Sequence, residues 1–137
     1  MVFSKFDQNS VYNLVRIRKG DEYKKVFNTK FGQFEYLIMP FGLINATAVI
    51  QSFVNDIFSE YFGQYCQVYH DDIMVYLKTF EKHVQHIRLI LKKLIEHKLV
   101  AKMPTCELYR LKISFLLHII SKDGVETDSV KIKAVAE

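Results

Sequence analysis

Two adjacent carboxylates, Asp71 and Asp72, stand between two apolar, aromatic and β-branched runs at residues 65–69 and 73–77. Such runs read as strands, and His70-Asp71-Asp72 as the tight turn that joins them at a sheet edge. Neighbouring carboxylates repel one another and stay ionised together most easily beside a cation. Their hard oxygen donors suit Mg²⁺, with Mn²⁺ as its substitute. Two such ions about 4 Å apart would activate a hydroxyl and stabilise a leaving oxygen in phosphoryl transfer. Asp is also common in turns for local hydrogen bonding, so a bare Asp-Asp pair needs nothing more than a plain hairpin. That plain reading weakens if a third carboxylate can approach, and Asp7, at the end of an apolar run, is a candidate.

The other chemistry-bearing residues form no comparable set. Cys66 and Cys106 lie far apart, outside any Cys-x-x-Cys pair, and read as reduced, buried thiols. His83 and His86 are three apart on a helical stretch, with no third ligand to complete a metal site. The chain of 137 residues carries a formal charge of +4, and nine Lys or Arg face only three Glu between Lys78 and Lys112. A basic stretch after an acidic pair is compatible with a polyanion laid across the carboxylates. On charge alone a solvated helix face is the simpler reading. No apolar h-region opens the chain, and the most apolar run, residues 113–120, is too short to span a bilayer. The expectation is an intracellular protein, cytoplasmic or nuclear, with no membrane partner.

The elements that must position the acids follow from periodicity. Residues 2–6 read as a strand, as do residues 14–18, which alternate apolar and polar. Residues 26–29 and 34–39 read as a hairpin around Lys30-Phe31-Gly32-Gln33. Pro40-Phe41-Gly42 breaks the pattern. Asn45 or Thr47 then caps a helix whose apolar face is Val49, Ile50, Phe53, Val54, Ile57, Phe58 and Tyr61, ended by Gly63. Residues 80–97 form the clearest helix, with a buried stripe of Val84, Ile87, Leu91, Leu94 and Ile95. Residues 113–120 read as one more strand, and a final helix starts near Asp128. Half the residues are hydrophobic, enough for a real core. The order is mixed without βαβ repeats, which predicts an α+β fold: an antiparallel sheet with helices on one face.

With its flanks, Val68-Tyr69-His70-Asp71-Asp72-Ile73 resembles the Tyr-x-Asp-Asp motif of reverse transcriptases. The run from Phe3 through Asp7 to Tyr12 resembles the first catalytic motif of that family. Phe34-Glu35-Tyr36-Leu37-Ile38-Met39-Pro40-Phe41-Gly42-Leu43-Ile44-Asn45-Ala46 is similar to the substrate-binding motif of gypsy-type LTR retrotransposons, with Gln51 following at the expected spacing. Ser114-Phe115-Leu116-Leu117-His118 resembles the later hairpin that grips the primer. One such motif is weak; four in the family's order over nearly the whole chain are specific.

The resemblance implies a palm-centred fragment of an RNA-directed DNA polymerase from a retrotransposon polyprotein. Asp7, Asp71 and Asp72 would hold two Mg²⁺ ions, with Asp72 in support. Tyr12 would be the aromatic gate against a ribose 2′-OH. Phe41, Gly42 and Gln51 would line the nucleotide pocket, and Phe115, Leu116, Leu117 and His118 would touch the primer end. The implied partners are an RNA or DNA template-primer and a dNTP. Residues 16–39 would supply part of the fingers, residues 122–137 the start of the thumb, and the rest palm. The remaining thumb and an RNase H segment would belong to the parent polyprotein. The chain departs from the family pattern at Val11, Thr47, Ile50, His70, Thr105 and Leu117. Thr105 stands where Lys is common, and Leu117 where the hairpin has Gly. These departures keep open a second reading, a non-catalytic palm-like remnant that binds nucleic acid or protein.

Overall fold

A computed structural model describes residues 1–9, 11–40 and 42–129. In chain order, strand β1 covers Val2–Asn9, β2 Val26–Thr29 and β3 Gly32–Glu35. Helix α1 covers Ala46–Phe58, followed by β4 over Cys66–Tyr69 and β5 over Asp72–Leu77. Helix α2 covers Phe80–Glu96. Strands β6 (Val100–Ala101), β7 (Glu107–Arg110), β8 (Lys112–Phe115), β9 (His118–Ser121) and β10 (Gly124–Thr127) complete the order. The architecture is α+β with antiparallel strand pairs throughout.

The central sheet runs β4-β5-β1, and the far edge of β1 is shared by β6 and β7. Strand β1 is therefore its hub. One face is covered by the helices. Phe6, Cys66, Val68, Ile73 and Val75 from the sheet pack with Ile50, Val54, Ile57 and Phe58 of α1 and Ile87, Ile90 and Leu94 of α2. Burying a side chain such as Phe6 or Phe58 contributes roughly 2–3 kcal/mol each. The opposite face is half covered. There Phe3 and Met74 form a smaller cluster with Ile113 and Phe115, so the β8-β9-β10 sheet lies over the end of the central sheet.

Several expected elements change on inspection. The strand expected over residues 14–18 is a 3-10 turn over Val11–Leu14 followed by a single antiparallel bridge, Arg16 to Ile38. The hairpin β2–β3 is shorter than its apolar run and forms a sheet of its own, with Phe31 82% exposed at its tip. The run at residues 113–120 is two strands. Leu116 and Leu117 take φ of 49° and 68°, which closes a two-residue hairpin that apolar patterning hides. The stripe of α2 is also rotated. Its buried residues are His83, Ile87, Ile90 and Leu94, whereas Leu91 and Ile95 face outward. The reason is a polar contact: His83 Nε2 meets Ser4 Oγ at 2.8 Å inside the core. That bond gives a histidine the stripe's first place. Strands β6 and β7 were not anticipated, because two and four residues leave no periodicity to read. The helix expected from Asp128 falls mainly on residues 130–137, outside the described residues, as does that part of the expected thumb.

None of the described helices is long and apolar enough to cross a membrane. The basic face of α2 is solvated, with Lys93 paired to Glu60 at 2.7 Å.

Candidate active site

The carboxylates are placed by register. Strands β1 and β5 pair with Asp7 opposite Asp72, Lys5 opposite Met74 and Phe3 opposite Tyr76. Directly paired residues project to one face of a sheet, and alternate residues share it. Phe6, Ile73 and Val75 face the helices, so Phe3, Lys5, Asp7, Asp72 and Met74 face the other way. Asp71 sits in the turn between β4 and β5, and its carbonyl accepts the Gln8 N–H at 2.8 Å. The three acids thus lie on adjoining backbone around one sheet end.

The turn has its own supports. His70 takes φ 51°, a region that His enters more often than most residues with a Cβ. Its ring stacks on Tyr69 with centroids 4.3 Å apart. Gln51, from α1, accepts the His70 N–H on Oε1 at 2.7 Å and donates from Nε2 to the Val68 carbonyl at 3.3 Å. The same Nε2 reaches Asn55 Oδ1 at 2.7 Å. The amide of Gln51 is thereby spent on the turn's backbone.

Asp7 has a partner of its own. Thr105 donates its hydroxyl to Asp7 Oδ2 at 2.5 Å, and Lys102 N–H bonds the Asp7 carbonyl at 2.7 Å. The 3-10 turn Met103–Thr105 is therefore docked on Asp7 by side chain and backbone together. Burial pushes the Asp72 carboxyl above its ordinary value, the Lys5 ammonium opposes that, and Asp71 and Asp7 add to the rise.

An open cavity of about 620 Å³ lies against the turn, lined by Lys5, Tyr69, His70, Asp71, Asp72, Ser114, Leu116 and Leu117. Of the expected primer-contacting residues, Leu116 and Leu117 line it. Phe115 is buried under the hairpin as its anchor, and His118 is exposed beside it. Tyr12 is half-buried on the 3-10 turn after β1 and packs against the main core. Gly42 is exposed at φ 85°, with nothing within 4 Å of where a Cβ would stand, so both its conformation and its open surroundings suit a close backbone approach. Phe41 lies outside the described residues. Lys5 and Thr105 are the residues that sequence reasoning missed as site components. Thr105 had drawn notice only as a departure, and the alternation of residues 3, 5 and 7 was the available signal for Lys5.

As donors, three carboxylates on adjoining strands fit a hard divalent cation. Among the described residues, however, no three His, Cys, Asp or Glu groups converge around one point. The site has the donor set and the backbone frame, with the side chains not gathered.

The family model for "Reverse transcriptase (RNA-dependent DNA polymerase)" matches residues 1–120. The chain belongs to the reverse transcriptase family. Among its relatives, the transposon Tf2-3 polyprotein of Schizosaccharomyces pombe is 38% identical over 123 residues, and the Tf2-7 polyprotein of the same organism 37%. Those matches cover 90% of this chain and 9% of each polyprotein, so the chain spans about a tenth of their length. The fold is similar to that of the foamy viral protease-reverse transcriptase in complex with dsDNA, with a TM-score of 0.88 and 22% identity. That match covers 99% of this chain and 28% of the viral one. The same viral protein in complex with an RNA/DNA hybrid gives a TM-score of 0.87. Reverse transcriptases as a family work with divalent metal ions.

Proposed function

We propose that this chain is the palm-centred catalytic core of an RNA-directed DNA polymerase, carried within a longer retrotransposon polyprotein. Its reaction is attack of a primer 3′-OH on the α-phosphate of a dNTP, which breaks the bond to the β-phosphate and releases pyrophosphate, directed by an RNA or DNA template. The observation that carries this reading is the pairing of Asp7 with Asp72, beside Asp71 in the turn, on the face that opens toward the cavity.

Asp7 and Asp71 would be the principal ligands of two divalent ions, with Asp72 supporting them. Mg²⁺ is the expected ion and Mn²⁺ the alternative. When bound, the ions supply the charge that eases loss of the hydroxyl proton and stabilises the leaving oxygen. The chain's own residues do the positioning. Gln51 fixes the turn that presents Asp71, and Thr105 orients Asp7. Leu116 and Leu117 present an apolar wall on which the primer terminus rests beside Phe115 and His118. Tyr12 stands after Asp7 as the gate against a ribose 2′-OH. Gly42, with Phe41, admits the incoming nucleotide. Residues 16–39 contribute to the fingers and residues 122–137 begin the thumb, with further thumb and RNase H segments supplied by the polyprotein. The work takes place inside the cell, in the cytoplasm or the nucleus.

Primer extension on an RNA template with Mg²⁺ tests the proposal. The parent chain should extend the primer, and Asp71→Asn/Asp72→Asn should lose on the order of 10³-fold or more in rate. No extension by the parent, or equal extension by the double variant, sinks the enzymatic reading. A second reading, a palm-like module that binds nucleic acid or protein without turnover, is favoured by the ungathered acids and by the Thr105 hydroxyl already engaging Asp7. Extension by the parent chain excludes it.

A further inference from the structure

Lys5 sits at a seam. Along the open face of β1 the order is Phe3, Lys5, Asp7: apolar, cationic, anionic. Phe3 is sealed under Ile113 and Phe115 of the β8–β9 hairpin, and Asp7 opposes Asp72. Lys5 lies where the hairpin's cover ends and the acids begin. It is half-buried, and its Nζ donates to the Ser114 carbonyl at 3.1 Å.

That carbonyl is open to a partner for a reason set by the turn. In a two-residue hairpin the pair closing the turn, here Phe115 and His118, exchanges its backbone bonds across the ladder. The next residue, Ser114, therefore turns its carbonyl outward, on the free edge of the outermost strand of its sheet. Lys5 is the donor that meets it. A bond from a charged donor is worth more than a neutral one. The same ammonium opposes the upward push of burial on Asp72 and lines the cavity with it.

We infer that Lys5 is a positioning residue whose ammonium clamps the β8–β9 hairpin onto β1 beside Asp72, and so sets how far the cavity's Leu116–Leu117 wall stands from the carboxylates. Its consequence for catalysis rests on the polymerase reading; the clamp itself does not. Lys5 bonds the backbone of the hairpin. In the active polymerase its loss should therefore lower kcat while leaving the KM for dNTP unchanged.

Hydrogen exchange read by mass spectrometry on the full chain tests the clamp without any turnover. Lys5→Met removes the charge and the donor at similar length, and Lys5→Arg restores both. The expected result is about tenfold faster amide exchange across residues 112–121 in Lys5→Met, with residues 66–77 unchanged and Lys5→Arg within about twofold of the parent. Unchanged exchange across the hairpin, equal acceleration in both segments, or no rescue by Arg each overturns the inference. A parallel Mn²⁺ titration, read by paramagnetic broadening at Asp71 and Asp72, addresses the other reading. Absence of broadening in the parent counts against the metal-dependent polymerase and leaves the exchange result to decide on Lys5.

Discussion

Gln51 shows how one side chain can serve the site through the backbone it holds. Its position after the Met39 to Asn45 segment pointed to the nucleotide pocket, yet both polar atoms of its amide are committed to the β4–β5 turn and its neighbour Asn55. A partly buried N–H left without its acceptor costs about 1–3 kcal/mol. Gln51→Leu, similar in size but unable to accept from His70, should lower stability by about 1–2 kcal/mol in urea denaturation. A change below about 0.3 kcal/mol would show that the turn carries itself. The carboxylates were legible from sequence because acids between apolar runs are rare enough to notice. Lys5 was not legible, since an isolated lysine acquires a role only when the register brings Asp72 and Ser114 to it. Thr105 was legible only as a substitution; its bond spans 98 residues of chain, a distance no local pattern encodes.

At the scale of elements, the β8–β9 hairpin carries the clearest local conflict. Leu116 and Leu117 both occupy left-handed backbone, where an L-residue with a Cβ loses roughly 1–2 kcal/mol. Asn and Gly are the residues such a turn prefers. Leu117→Gly, which restores the residue usual in the family's hairpin, should therefore stabilise the chain by about 0.5–1 kcal/mol after the added freedom of the unfolded chain is subtracted. Thermal or urea midpoints would measure it, and a loss of stability would mean that the Leu117 side chain contributes packing the exposed turn does not reveal. The strands β1, β4 and β5 were readable because each falls in an apolar or aromatic run beside the acids, and both helices because each carries a long apolar period. The hairpin, by contrast, hid inside one continuous apolar run from Ile113 to Ile120. A turn made of two leucines has no Gly, Asn or Asp to announce it. The stripe of α2 was misphased for a related reason: a histidine satisfied by Ser4 occupies a core position that hydrophobicity alone assigns elsewhere.

At the scale of the whole molecule, the buried Ser4–His83 contact joins the helical layer to the sheet. Ser4 accepts the Tyr109 N–H at 3.0 Å, and its Oγ meets His83 Nε2 at 2.8 Å. Burial, and then His86, push the His83 pKa below its ordinary value of 6.5. The folded state therefore binds fewer protons than the unfolded state once the pH falls below about 6.5, and stability must drop there. Above that pH both states are neutral and the group adds no slope. His86 shifts in the same direction, so the informative measurement is a difference. The parent should lose more stability than His83→Gln between about pH 6.5 and 5, and parallel profiles would remove His83 as the cause. The hub role of β1 has a kinetic consequence as well. Its bonds reach residues 79 and 98 positions downstream, whereas the β4–β5 hairpin closes over a two-residue turn. Local hairpins form within microseconds, and long loops close late because their entropy must be met first. During folding, the Asp71-Asp72 turn closes locally within the β4–β5 hairpin, whereas Asp7 meets Asp72 only when the chain between them has closed. The acids come together only in the closing step, so partly folded chains carry the motif without the site.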